Sequence, residues 1–594
     1  MTARPLFLAA LAVLAFAAAI IPIRAEETAP KKRVDYLIIT ADSFADAAKE
    51  WGEYRAQKGR RIAVKTVSDI ATNWGHERAS VTDIKNTIKG AASETINAEF
   101  QVLLIGDCPS SPGKKPEGEL NYDPNVELPW FITDLKDEQG SIIAGDNFYA
   151  DIADKDDDLP EIAVGRIPAR TIEEVRLALA KVKAYESARN GEWIKRLTFF
   201  AGEGHYGPLI DSMIEMAFTQ FADEHVDNAY DLRMTYANLD SPYAWVPSKF
   251  TDKVAEEANM GSLLLTYLGH GAWDRLDDFR VKIDGKFSTY PILKADDVGK
   301  FAIKDGQLPV MLIIACDTGW MDGPAKNRCL GERILFTDNA PVAVIASSRN
   351  SHPYSNMIVQ KGIVQGIANR KCETLGEAFR YMKRELTLGQ EPDRKDLEDM
   401  AAMLMPKKSE RDAKNRAHLF LYNLMGDPGL KIKHVVSQFK AVLFDNKNGG
   451  PASTNEVEEG FAPEYEIDIP QDLQDPKSPV SLTVTLERRR ASLGAEPAKF
   501  DPADLASKDE KVRAAAEKIV MANHKMANDR LISPGVCVMP EIAPDVGVIR
   551  ETYGFNLDKP LAPGDYLVKI FALDKKGDKC GFTALPFKVV KKKE

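Results

Sequence analysis

Two side chains are placed to share nucleophilic chemistry. Cys316 closes the run Leu308-Pro309-Val310-Met311-Leu312-Ile313-Ile314-Ala315, and His270 closes the run Gly261-Ser262-Leu263-Leu264-Leu265-Thr266-Tyr267-Leu268-Gly269. Each run is apolar and β-branched and too short for a helix, so each reads as a buried strand. In an open α/β sheet, function gathers at the carboxyl ends of strands. If these two strands lie parallel and adjacent, thiol and imidazole meet at one rim. A thiol within reach of an imidazole makes a thiolate–imidazolium nucleophile suited to acyl transfer. A cysteine that ends an apolar strand is by default a small core residue. What turns the reading toward chemistry is the joint pattern, an apolar strand followed by His-Gly and a later one followed by Ala-Cys.

The elements around this pair alternate. Val34–Thr40, Arg61–Val67 and Phe100–Ile105 read as strands, with helical spacing over Phe44–Lys58 and Val81–Ile96 between them. That is the parallel crossover pattern. Glu161–Arg166 is a further strand, and Thr171 caps a helix to Ala188 with Glu173 and Glu174 in its first turn. Arg196–Ala201 is a strand that leads into Gly202-Glu203-Gly204-His205, then a helical stretch over Pro208–Glu224. Asn327–Leu335 reads as a helix, Pro341–Ala346 as a last central strand ending in Ser347-Ser348-Arg349-Asn350, and Met357–Ala368 and Thr374–Leu386 as helices. Thr387–Lys414 is a charged helical excursion, and Leu430–Val436 a short closing strand. From Ser437 the period changes to two: Leu482, Val484 and Leu486 alternate with Ser481, Thr483, Thr485 and Glu487. Asp501–Asn528 interrupts this β region with an Ala-rich helical insertion.

Three further stretches stand in order along the chain: Tyr36-Leu37-Ile38-Ile39-Thr40, Leu159-Pro160-Glu161-Ile162-Ala163-Val164-Gly165-Arg166-Ile167-Pro168-Ala169-Arg170, and Met425-Gly426-Asp427-Pro428-Gly429-Leu430. With the His-Gly and Ala-Cys pair, they make residues 34–435 resemble the caspase-like cysteine peptidases, and within them the gingipain family. The resemblance implies an α/β, caspase-like catalytic unit of two subdomains with mainly parallel sheets flanked by helices, followed by an immunoglobulin-like β-sandwich. The expected boundaries are 34–194 for the first subdomain, 195–436 for the catalytic one and 437–594 for the sandwich, with the insertion at 501–528. It implies a cysteine endopeptidase in which Cys316 is the nucleophile and His270 the general base. The N–H groups of Gly271 and Cys316 would form the oxyanion hole. A histidine base needs an orienting group on its other nitrogen, and Glu203 is the residue that matches the family's acid, in a segment one residue longer. Asp211 falls near the acid that reads a basic P1 side chain in arginine-specific members, while a helix N-terminal Asp more often only meets the dipole. His352 and Ser347 fall where the family lines its specificity pocket.

No zinc spacing, P-loop or dinucleotide glycine pattern is present, and Gly202-x-Gly204 lacks the rest of any phosphate fingerprint. The proposed catalysis requires no cofactor. The acidic cluster Asp151, Asp154, Asp156, Asp157 and Asp158 could hold a structural calcium, as gingipains do, but it lacks the spacing of a calcium loop and a solvated acidic turn is the plainer reading.

The 594 residues, 44% of them hydrophobic, suffice for two or three cored domains. A net charge of −11 leaves no basic excess to meet phosphates, which argues against nucleic acid as a partner; polypeptide substrates are what the family resemblance implies. Residues 1–25 read as a secretory signal peptide, with uncharged Pro5–Ile23 and a small residue at Ala25, followed by a short linker at 26–33. An uncleaved anchor is the rival reading. After cleavage nothing in the sequence would insert into a membrane, so a secreted, periplasmic or cell-surface protein is expected. The first strand opens soon after Ala25, which leaves no space for the long propeptide of gingipains. Six cysteines at 108, 316, 329, 372, 537 and 580 do not form a disulfide framework, although Cys537 and Cys580 could pair. Two other functions use the same residues: a non-catalytic secreted binding or surface-assembly protein, and a transpeptidase or self-processing enzyme that resolves the same acyl-thioester with an amine.

Overall fold

The computed structural model describes residues 33–591 except 94–98, 112–120, 154, 156, 205–225, 229, 284–285, 324–326, 390, 392–393, 435–439, 446–449, 452–453, 461–462, 470–472, 474–479, 491 and 544–547. Ten strands build the central sheet: β1 (Tyr36–Thr40), β2 (Ile62–Thr66), β3 (Gln101–Ile105), β4 (Ala163–Ile167), β5 (Arg196–Ala201), β6 (Asp231–Tyr236), β7 (Leu264–Leu268), β8 (Val310–Ile314), β9 (Ala343–Ser347) and β10 (Tyr422–Met425). Their spatial order is β2-β1-β3-β4-β10-β9-β8-β7-β5-β6. β1 to β4 and β10 run parallel to one another. β5 to β9 form a second parallel block. The two blocks meet in the antiparallel pair β9–β10, where Val344 faces Met425 and Ser347 faces Tyr422.

The sheet is therefore caspase-like and mainly parallel, but the two subdomains share one continuous sheet and do not carry one each. The joint is β10, which follows helix Lys408–Leu421 and slots between the halves. Inner strands β1, β3, β4, β8, β9 and β10 are buried along their whole length, as parallel strands covered by helices on both faces must be. The helices start where their capping residues predict. Thr171 Oγ accepts the Glu174 N–H at 3.3 Å and Glu174 answers at the Thr171 N–H, which fixes helix Ile172–Ser187. Ser80 and Asp83 cap helix Val81–Ala92 in the same way. Helix Val67–Trp74 begins where the sequence reads the end of a strand, because Thr66 and Asp69 form a capping box there. The expected closing strand over 430–436 is reduced, among the described residues, to an isolated bridge between Thr374 and Lys431. The helix expected over 208–224 lies outside the described residues.

Beyond residue 440, nine strands make a second sheet. Leu443, Tyr465 and Ile467 from one end of it share a core with Val568, Ile570 and Phe587 from the other end, so the sheet closes over itself as a β-sandwich. Alternation then sends the intervening residues of strand Gly564–Asp574 outward, toward the central sheet. Phe571 and its cross-strand partner Phe582 join the core around that sheet, and Lys569 donates to Asp231 at 2.5 Å. The insertion carries helix Glu510–Asn528, whose last side chain works as a strand neighbour. The Asn528 amide accepts the Met234 N–H at 2.8 Å and donates to the Met234 carbonyl at 2.9 Å. Edge strand β6 is thereby covered. Residues 34–594 form one compact unit.

Candidate active site

Register fixes the height of three side chains above the sheet. β7 and β8 are parallel neighbours with Leu268 opposite Ile314, and β5 lies on the other side of β7 with Ala201 opposite Leu268. The Gly202 N–H to the Leu268 carbonyl (2.9 Å) and the Gly269 N–H to the Ile314 carbonyl (3.1 Å) carry the ladder one residue past the strands. Glu203, His270 and Cys316 each follow two residues after those matched positions, so the three leave neighbouring strands at the same rim, in the order Glu203, His270, Cys316.

The His270 ring is oriented by backbone. Its Nε2 lies 2.5 Å from the Gly204 carbonyl. A carbonyl only accepts, so Nε2 bears the hydrogen and the basic lone pair of the neutral ring is on Nδ1. The main chain of His270 is held from behind by buried Tyr267, whose hydroxyl donates to the His270 carbonyl at 2.9 Å. The same carbonyl takes the Asp277 N–H at 3.1 Å. In a strand, successive backbone groups point to opposite sides, so Gly271 turns its N–H away from the hairpin 271–276 that Asp277 closes. A Cβ on Gly271 would lie 2.8 Å from the Ala315 Cβ, 3.0 Å from Thr318 Cγ2 and 3.1 Å from the Cys316 carbonyl oxygen. The His-Gly turn thus rests against the Cys316 loop with no space for a side chain.

Cys316 is a free, partly exposed thiol. Ser351 surrounds its sulfur: the Ser351 N–H donates to Sγ at 3.4 Å, the hydroxyl is 3.9 Å away and the carbonyl 3.8 Å away. Burial pushes the thiol above its ordinary value, the Ser351 groups pull it back, and the negative charges of Asp317 and Asp137 push it up again. This direction is opposite to the lowering expected of a preformed thiolate–imidazolium pair. Asp317, in the left-handed region with φ 58°, is itself raised to about 6 by burial, with Arg349 opposing and Asp137 reinforcing the rise. Asp137 sits between the strands of hairpin 131–145 and holds the Asn350 N–H at 3.1 Å and the Asn350 Nδ2 at 3.2 Å.

The remaining candidates divide. Ser347 is fully buried and donates to the Arg349 carbonyl at 2.8 Å, so it shapes the 347–351 turn and presents no hydroxyl to a substrate. His352 caps helix Pro353–Ala368: its Nδ1 accepts the Tyr354 N–H at 3.3 Å and its own N–H donates to His418 Nε2 at 3.0 Å, while burial lowers the ring below its ordinary value. Asp211 lies outside the described residues. Ser351, Tyr267 and Asp317 carry much of the geometry without having been singled out in the sequence. Asp317 alone had a visible signal, as an acid directly after Cys316.

Cys580 is a free thiol, and the side chain of Cys537, the partner considered for it, lies outside the described residues. In the acidic turn, Asp154 and Asp156 lie outside the described residues and Asp158 Oδ2 accepts from Arg416. Asp151, Asp157 and Glu161 bring one carboxylate oxygen each within 4.8 Å of one another. Asp151 Oδ1 is buried there without a hydrogen-bond partner. A cluster of hard oxygens around an orphaned carboxylate oxygen fits calcium in donor type. Among the described residues no helix is long and apolar enough to cross a membrane.

Comparison with known proteins gives a consistent picture. Residues 29–433 match the model of Peptidase family C25. Gingipain R2 of Porphyromonas gingivalis is 22% identical over 443 residues, covering 71% of this chain and 49% of the relative. Gingipain R1 of the same species is 22% identical over 422 residues, covering 67% of this chain and 34% of the relative. The chain therefore spans about half the length of these curated relatives, or less. The crystal structure of the Arg-specific cysteine proteinase gingipain R aligns over 94% of this chain and 99% of its own, with 15% identity and a TM-score of 0.47.

Proposed function

Because the chain belongs to Peptidase family C25, we propose that it is an exported cysteine endopeptidase that hydrolyses peptide bonds through Cys316 and His270. The observation that carries this reading is the register of β7 and β8, which sends His270 and Cys316 from matched positions to one rim. In the cycle, His270 Nδ1 takes the thiol proton as Sγ attacks the scissile carbonyl. The proton then goes to the leaving amine, and water resolves the acyl-enzyme. A thiol held above its ordinary value suits proton removal during attack better than a standing ion pair. The oxyanion would lie between the N–H groups of Gly271 and Cys316, each such donor being commonly worth about 3 kcal/mol. Gly204, with Glu203 beside it, keeps the ring from turning.

The reading includes a preference for basic P1 side chains. Its support is the negative charge that Asp137 and Asp317 place beside the thiol; Asp211 is a further candidate selector. Export rests on the apolar N-terminal stretch and its small residue at 25. Calcium, as an auxiliary structural ion, would be held by Asp151, Asp157 and Glu161 and would supply only charge neutralisation to that turn.

The test uses residues 26–594 as wild type and Cys316→Ala under reducing conditions, with peptide acyloxymethyl-ketone probes and a denatured protein substrate. Labelling and cleavage that vanish in Cys316→Ala are expected. A folded wild type that neither labels nor cleaves, before or after treatment with a trypsin-like activator, sinks the proposal.

A further inference from the structure

We propose that Ser351 is the group that receives the sulfur of Cys316 in both of its protonation states, and that Asn356 and Tyr422 are positioning residues that hold Ser351 for this task. The inference deepens the peptidase reading of the same site. A thiol needs an acceptor and a thiolate needs donors, and Ser351 offers both around one atom: its carbonyl lies 3.8 Å from Sγ, its N–H donates at 3.4 Å and its hydroxyl is 3.9 Å away. The hydroxyl can turn its hydrogen to sulfur because its oxygen is already an acceptor. Asn356 Nδ2 donates to Ser351 Oγ at 2.9 Å. The Asn356 amide is itself fixed, because the Tyr422 hydroxyl donates to its Oδ1 at 2.7 Å. Asn356 is 7% exposed and Tyr422 is fully buried, so water does not compete for these bonds.

The relay crosses the joint of the fold. Tyr422 opens β10, the strand that joins the two parallel blocks, while Ser351 stands in the turn after β9. The turn is anchored on its other side by Asp137, through the Asn350 N–H and Nδ2. Donors aimed at a sulfur favour its charged form, and here they oppose the burial and the two nearby carboxylates that disfavour it. In this step the S–H bond of Cys316 breaks and an N–H bond forms at His270, while the Ser351 N–H keeps donating to the sulfur and the Ser351 hydroxyl turns its hydrogen toward it.

The measurement is the rate of iodoacetamide modification of Cys316 against pH, over roughly pH 5 to 10, read by peptide mass on the full-length folded protein. Ser351→Ala is expected to move the Cys316 midpoint up by about half a unit and to slow modification at neutral pH about threefold. Ser351→Thr keeps the hydroxyl and is expected to keep the wild-type midpoint. Tyr422→Phe, which removes one atom two bonds further back, is expected to move it in the same direction by less, and it decides the question if Ser351→Ala loses its fold by circular dichroism. Midpoints equal to wild type in Ser351→Ala and Tyr422→Phe overturn the proposal. Peptide cleavage is not part of this readout. A protein that cleaves nothing yet shows the Ser351-dependent midpoint would end the peptidase reading and leave this one standing.

Discussion

Gly271 and Cys316 touch through backbone: a Cβ added to Gly271 would stand 3.1 Å from the Cys316 carbonyl oxygen and 2.8 Å from the Ala315 Cβ. Neither neighbour can move cheaply, since both lie where β8 runs out of a fully buried strand. Gly271→Ala is therefore expected to push the His270 turn off the Cys316 loop while the sheet below stays intact. Turnover should fall by about a hundredfold, the scale of one lost oxyanion donor, with a melting temperature close to wild type. Steady-state kinetics beside a thermal melt separates the outcomes, and near-normal kcat/KM in Gly271→Ala would remove this N–H from the oxyanion hole.

Asp317 gives a pH dependence whose sign is fixed. Burial raises its carboxyl to about 6 against Arg349, with Asp137 adding to the rise. A carboxyl raised in the folded state stabilises the fold below its unfolded value, near 4, and loses that contribution as pH rises through about 6. Asp317→Asn should accordingly be more stable than wild type at about pH 8, by about 1 kcal/mol after allowing for solvent screening of a partly exposed group, and equal to it in acid. Asn tolerates the left-handed φ at this position. Removing the charge also lowers the Cys316 thiol, so iodoacetamide modification near neutral pH should speed up about threefold. Denaturant melts at the two pH values check the first effect. A rate unchanged by the substitution would show that Asp317 does not act on the sulfur.

The legible part of this protein was what burial on both sheet faces writes into sequence. β7, β8 and β9 appear as unbroken apolar runs because helices cover both faces, and the chemical residues could be placed at their ends. The matched register of Ala201, Leu268 and Ile314 was not legible, since period and composition are silent on which strand neighbours which. β6 escaped notice because it is an edge: four of its six residues are only partly buried, and Arg233 within it is satisfied by Glu257 at 2.7 Å, so it lacks an apolar signature. The sandwich announced itself by alternation around Val484, yet the outward Phe571 and Phe582 that join it to the catalytic core look like ordinary strand residues. Ser351 was invisible for another reason. It acts through its main chain as much as its side chain, and where a backbone N–H points is decided by the turn after β9. His352 and Ser347 were singled out by position, while their bonds serve the helix cap and the turn.

The carboxylates of Asp151, Asp157 and Glu161 lead to a ligand prediction. Glu161 Oε2 already accepts the N–H groups of Ile152 and Ala153, at 2.9 and 3.0 Å, and Lys85 stands 3.6 Å from Asp151 Oδ2. Burial raises the Asp151 carboxyl, Lys85 opposes the rise, and Glu161 and Asp157 reinforce it. A divalent cation would relieve that crowding. Millimolar calcium is expected to raise the melting temperature by about 2–4 °C over the chelated protein, and Asp151→Asn to abolish the increment. A melt indifferent to calcium and chelator would leave the cluster as a solvated acidic turn, its plainer reading.

The last prediction concerns the seam between the sandwich and the catalytic sheet. Lys569, 5% exposed on strand Gly564–Asp574, reaches Asp231 at 2.5 Å and Glu487 at 3.0 Å, while Lys195 approaches Asp231 at 3.4 Å from the other side. Burial pushes the Asp231 carboxyl up, but the two ammonium groups outweigh it and hold it at about 2. A carboxylate depressed in this way stabilises the fold above its unfolded value, near 4, and the contribution disappears as pH falls toward 2. Lys569→Met keeps the length of the side chain and strips the charge. It should cost about 3 kcal/mol at neutral pH and less near pH 2, where Asp231 is already about half protonated in the wild type. Because Phe571 and Phe582 complete the catalytic core and Asn528 covers Met234, the two parts should melt as one unit. A chain ending at residue 436 would leave β6 bare and that core open, and it should aggregate on expression. A soluble 26–436 protein with the full-length melting temperature would show instead that the sandwich is an attachment the catalytic sheet does not need.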